Sequence, residues 1–93
     1  MTAPELQEEV VQIVNRAGLH ARPASALVRL AQNFHSEIRL EKDGLEVNGK
    51  SIMGVLMLAA EQGSRLTIRG EGEDAPHAVA ALAELVRAGF EEE

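Results

Sequence analysis

Short segments of patterned hydrophobicity run along the chain, and their period switches between that of a strand and that of a helix. Val10-Val11-Gln12-Ile13-Val14 is short and β-branched, which predicts a strand. Asn15 to Gly18 is a loop. From Ala21 the period lengthens: Ala24, Leu27, Val28, Ala31 and Phe34 recur at three- and four-residue steps, one face of a helix. Pro23 is compatible with its first turn, because the N–H it lacks has no helical acceptor there. Glu37 to Glu41 alternates strictly, with Ile38 and Leu40 toward a core and the charges toward water. Asp43-Gly44 predicts a hairpin turn, and Leu45 to Asn48 a returning strand with Leu45 and Val47 on its apolar face. Ser51 is placed to cap a short apolar helix, Ile52 to about Leu58, with Val55 and Leu58 inward and Gly63 ending the region. Arg65 to Arg69 alternates again as a last strand. Asp74 then caps a final helix, with Pro76 in its first turn, a buried stripe of Val79, Leu82 and Val86, and Gly89 as its stop.

The order strand, helix, strand, strand, helix, strand, helix, with half-polar strands, predicts an α+β two-layer sandwich: four antiparallel strands with three helices on one face. A chain of 93 residues is enough for a single domain, residues 1–93, and too short for two ordinary ones. Hydrophobic residues make up 45%, so a core can form, and with only 2% aromatics it must be aliphatic. The same scarcity removes the stacking platforms of single-strand binders, and a net charge of −6 argues against nucleic acid or an anionic membrane as a partner. There is no cysteine, hence no disulfide framework or thiolate metal site. Residues 1–9 carry Glu5, Glu8 and Glu9 and do not read as a signal peptide, and no run approaches the ~20 apolar residues of a membrane span. A cytoplasmic protein without membrane insertion is expected. The tail Glu91-Glu92-Glu93 reads as a solvated end.

Candidate chemistry gathers at His20, in Gly18-Leu19-His20-Ala21-Arg22-Pro23-Ala24. The ring falls where a helix begins. Unpaired N–H groups from Ala21 on, and the positive end of the helix dipole, favour an anion beside it. A neutral imidazole nitrogen is both a good nucleophile and a good leaving group. Arg22 adds a planar fork of donors for phosphate oxygens, and Gly18 lets the loop approach closely. Phosphoryl transfer passes through a loose, metaphosphate-like transition state, so positioning and charge stabilisation do most of the catalysis. An exposed histidine at a helix start has equally bland explanations, and the spacing alone does not choose between them. His35 and His77 lack such company, and neither has a second ligand at metal-binding spacing. Ser25, Ser36 and Ser64 have no nucleophile context, and Gly70-Glu71-Gly72 is too short and acidic to cradle a nucleotide. No metal or cofactor is expected.

The segment around His20 resembles the active-site signature of HPr, the histidine-containing phosphocarrier family of the bacterial phosphoenolpyruvate-dependent sugar phosphotransferase system. Asn48-Gly49-Lys50-Ser51-Ile52-Met53-Gly54-Val55-Leu56 resembles that family's second signature, around its regulatory serine, and Gly63 to Asp74 its last strand and the loop beyond. The resemblance covers about residues 8–90. It implies a sheet order 1-4-2-3, an open-faced sandwich, and phosphorylation of His20 on Nδ1 by Enzyme I, followed by donation to the IIA component of a sugar permease. Arg22 carries over as the phosphate-stabilising residue, and Ser51 as the target of HPr kinase/phosphorylase.

Ser51 also has a physical reading: a hydroxyl at a positive helix end tolerates phosphate, and added charge beside an apolar docking patch hinders an acidic partner. Ile52, Met53 and Leu56 are the candidate docking patch, with Arg22, Arg29 and Lys50 as a local basic rim for acidic partner surfaces. The chain departs from the family in its extra residues from Met1 to about Gln7, in its glutamate tail, and in Ala17, which offers no side-chain hydrogen bond to a phosphate. Gly49 is expected to loosen the loop carrying Ser51. Alternative readings are a regulatory module of the same fold that binds transcription factors or kinases and is switched by Ser51 phosphorylation, and a nitrogen-branch carrier. Relatives of the first kind lack the histidine, and those of the second usually depart around the serine motif. A carrier needs an open docking face, so a monomer is expected.

Overall fold

The computed structural model describes residues 6–92. Expectations for Met1 to Glu5 and for Glu93 lie outside them. Four antiparallel strands form one sheet in the order β1-β4-β2-β3, where β1 is Leu6–Gln12, β2 Glu37–Lys42, β3 Leu45–Asn48 and β4 Arg65–Glu71. Helices α1 (Ala21–Ala31), α2 (Ile52–Met57) and α3 (Ala75–Arg87) cover one face, and a 3-10 turn, Gly89–Glu91, closes the chain. Val11, Ile38, Leu40, Val47, Leu66 and Ile68 point from the sheet into the core, where they meet Leu27, Val28, Val55, Val79, Leu82 and Val86 from the helices. The period-two and period-3.6 patterns thus converge on one aliphatic layer. The other sheet face is open.

Several boundaries differ from those the pattern predicts. The first strand begins at Leu6, because Glu8 and Glu9 pair with Arg69 and Ile68 of β4. Glu8 on the open sheet face, and Glu9 on the helix face where it meets Arg87 of α3, carry no hydrophobic signal. Ile13 and Val14 fall past its end, yet Ile13 N–H still donates to the Ser64 carbonyl at 2.9 Å, and the Ile13 carbonyl accepts from Gly63 N–H at 2.7 Å. Helix α1 ends at Ala31, so Phe34 packs on the core from the loop beyond. Leu45 shares the parity of buried Val47 but sits beside the hairpin turn and is exposed.

Two local roles also change. Asp74 stands at the N-cap of α3 but makes no side-chain cap bond. Its carboxylate instead accepts from His35 N–H (2.8 Å), Ser36 N–H (2.9 Å) and the Ser36 hydroxyl. The hydroxyl bond and then the His35 amide lower its pKa from the usual 3.8 to about 2. Gly49, expected to loosen its loop, is buried: its N–H donates to the Ile38 carbonyl at 2.8 Å, and a Cβ there would lie 2.6 Å from Ile38 Cγ2.

Candidate functional site

His20 is the N-cap of α1, in extended backbone with φ −81° and ψ −170°. Its carbonyl accepts the first helical bond, from Ala24 N–H at 2.9 Å. Pro23 has no N–H, and the N–H groups of Ala21 and Arg22 have no backbone acceptor among the described residues. Two free donors therefore lie directly after the histidine, at the positive end of an eleven-residue helix. Ala21 and Arg22 are exposed, as is the ring. Arg29 lies in the last turn of α1, also exposed.

The loop before His20 is tightly held. Gly18 is buried at φ +70°, and a Cβ there would meet the Ala60 carbonyl oxygen at 2.4 Å. That same oxygen accepts from Leu19 N–H at 2.8 Å. Asn15, 2% exposed, donates from Nδ2 to the Gly18 carbonyl at 2.9 Å. The segment leaving α2 thus braces the segment entering α1, and His20 is presented from a fixed turn.

The chain end joins this site, which no local pattern announced. Left-handed backbone at Gly89, Phe90 and Glu91 (φ +65°, +56° and +61°) turns the chain back, with Phe90 buried. The expected solvated tail is therefore folded as far as Glu92. Glu92 Oε1 lies 3.3 Å from His20 Nε2 and accepts from Asn15 Nδ2 at 3.1 Å. Sequence reasoning missed both Asn15 and Glu92, since a partner 72 positions away leaves no mark in local spacing.

Ser51 caps α2, its hydroxyl accepting from Gly54 N–H at 3.1 Å. Ile52 and Met53 are 44% and 72% exposed, while Leu56 is half-buried against the core. Met57, 65% exposed, extends the patch by one turn and was not anticipated. Lys50, expected in the basic rim, donates its ammonium to the Phe34 carbonyl at 2.6 Å, tying the Ser51 loop to the exit of α1. The patch and the histidine lie on packed neighbours, since α1 contacts α2. Among the described residues no group of three or more His, Cys, Asp and Glu is arranged to hold a metal, and no helix is long and apolar enough to cross a membrane.

Comparison with known proteins agrees with this geometry. Residues 7–88 match the family model described as the PTS HPr component phosphorylation site. The phosphocarrier protein HPr of Treponema pallidum is 47% identical over 91% of this chain and 97% of its own length. HPr of Thermoanaerobacter tengcongensis superposes with a TM-score of 0.90 at 44% identity, covering 94% of this chain and 98% of that one. HPr of Bacillus anthracis gives 0.84 at 48% identity, over 87% and 96%.

Proposed function

The chain belongs to the HPr family of phosphocarrier proteins of the phosphotransferase system, and on that basis we propose that His20 is the residue that carries the phosphoryl group. Enzyme I, charged by phosphoenolpyruvate, donates to His20, and the IIA component of a sugar permease receives from it. The observation that carries this reading is the seat of His20: an exposed ring at the N-cap of α1, followed by two unpaired backbone donors and Arg22.

Each part has a chemical task. The imidazole nitrogen is nucleophile in one transfer and leaving group in the next. The free N–H groups of Ala21 and Arg22 and the helix dipole stabilise the incoming dianion, and the Arg22 guanidinium holds its oxygens in a planar fork. Gly18 fixes the turn. The chain is a covalent intermediate between two enzymes and turns over no substrate of its own.

Ile52, Met53 and Leu56, joined by Met57, form the surface on which both partners dock, with Arg22 and Arg29 at its rim. Flexible methionines suit a face that must fit several partners briefly. Ser51, capping α2 beside that face, is the regulatory phosphorylation site, and a phosphate there hinders docking by charge at the interface without reshaping the fold. The presence of His20 argues against the purely regulatory alternative.

The test is direct. Incubation with Enzyme I, phosphoenolpyruvate and magnesium is expected to add one acid-labile phosphate. His20→Ala abolishes it, and Arg22→Ala slows it by about 10²-fold, the loss typical of one transition-state donor. Labelling that survives in His20→Ala removes the central role of this residue.

A further inference from the structure

We propose that Glu92 is a positioning residue of the phosphoryl-transfer site, acting through Nε2 of His20. The inference rests on the carrier reading above and deepens it. Three observations bring it about. Glu92 Oε1 lies 3.3 Å from Nε2, within reach of a hydrogen bond donated by Nε2–H. The same oxygen is held from the other side by Nδ2 of Asn15, a side chain 2% exposed and itself fixed to the Gly18 carbonyl. The approach of Glu92 is built in, because buried Phe90 and three successive left-handed residues return the chain to this corner.

A carboxylate that accepts Nε2–H selects the tautomer in which Nδ1 keeps its lone pair, and it fixes the ring plane. Among the described residues no hydrogen bond engages Nδ1. In the transfer, the Nδ1 lone pair forms the new N–P bond as the P–N bond to the donor's histidine breaks, and the donor ring leaves with that electron pair. Nε2 keeps its proton throughout. The His20 ring therefore gains positive charge as the bond forms, and the Glu92 carboxylate stands where that charge develops. In the onward step the charge is lost again when neutral imidazole leaves. The role parallels that of a buried carboxylate orienting a catalytic imidazole, although here the residue lies on the chain's last turn.

The experiment uses the full chain labelled with 15N at histidine, in wild type and in Glu92→Ala, Glu92→Gln and Glu91→Ala. With the ring neutral, the wild-type spectrum is expected to place the proton on Nε2. Glu92→Ala moves the two ring nitrogen signals toward each other as the tautomers mix, and slows phosphoryl acceptance from Enzyme I by roughly tenfold, the scale of losing an orienting partner. Glu92→Gln, whose amide oxygen still accepts Nε2–H, recovers the ring signals but only part of the rate. Glu91→Ala, with the same change in net charge, leaves both unaltered. Ring signals and rate unchanged in Glu92→Ala overturn the proposal, as does an equal effect from Glu91→Ala. A wild-type chain that accepts no phosphoryl group overturns the carrier reading and the rate claim with it, while the nitrogen signals still report separately on the contact.

Discussion

At Gly18 the backbone adopts φ +70° with the Ala60 carbonyl oxygen 2.4 Å from where a Cβ would stand. Two costs coincide there: a left-handed conformation, worth about 1–2 kcal/mol to an L side chain, and an overlap with backbone that cannot rotate away. Gly44 separates them, since at φ +85° it has open space on all sides. Urea denaturation of Gly44→Ala is therefore expected to show a loss of about 1 kcal/mol, and Gly18→Ala a loss of at least about 2 kcal/mol. Only Gly18→Ala is expected to slow labelling of His20, because the Leu19 bond to Ala60 must shift with it. Equal losses in both variants would mean that conformation alone, not close approach, selects glycine at position 18. The sequence made this glycine legible as a point of close approach, but not what approaches. Ala60 is 42 residues further on, and only the folded chain brings its carbonyl under the loop. Glu92 was hidden for the same reason.

The elements were legible where one face is apolar. Helix α3 and strand β2 follow their periodicity closely, whereas β1 was truncated because its first half carries Glu8 on the open face and Glu9 turned toward Arg87 of α3. Asp74 is the instructive misreading. Its position before α3 predicts a cap, yet its oxygens bind His35 and Ser36 in the loop that enters β2, a segment that periodicity cannot relate to α3. The consequence is a pH dependence with a definite sign. A carboxyl held at about 2 when folded, against 3.8 when free, contributes stability that is fully present above pH 4 and is lost as the pH falls through about 2. The urea midpoint of the wild type should thus exceed that of Asp74→Asn by a constant margin at neutral pH, and the margin should shrink between about pH 4 and pH 2. A margin that persists undiminished at pH 2 assigns the effect to something other than the carboxylate's charge. For α2, Ser51→Ala removes the bond from Gly54 N–H and is expected to cost about 1 kcal/mol, so tests of Ser51 phosphorylation need that variant's stability as their baseline.

Across the whole molecule, the strand order was the least legible feature from pattern alone; it came from the resemblance. Period and length name four strands but not their neighbours, and β1 meets β4 across most of the chain. Charge on the open face is what the order makes intelligible. Glu41 and Glu46 stand directly opposite each other on β2 and β3, a like-charge pair that should be unfavourable. Arg69, on the central strand β4, reaches both at 2.6 and 2.9 Å, and reaches Glu8 on β1 at 2.5 Å. One guanidinium thus links carboxylates from the three other strands, and those bonds hold its pKa above the ordinary arginine value, Glu8 contributing most. In a chain of net charge −6, removing it leaves three glutamates crowded on one exposed surface. Arg69→Gln should therefore melt below the wild type at low ionic strength. The deficit should narrow as sodium chloride is raised toward 1 M, where the screening length falls to about 3 Å. The helix-covered face and the His20 corner do not share these contacts, so phosphoryl acceptance at a temperature where both proteins are folded should be unchanged. A melting deficit indifferent to salt would instead point to lost packing of the arginine stem between its neighbours.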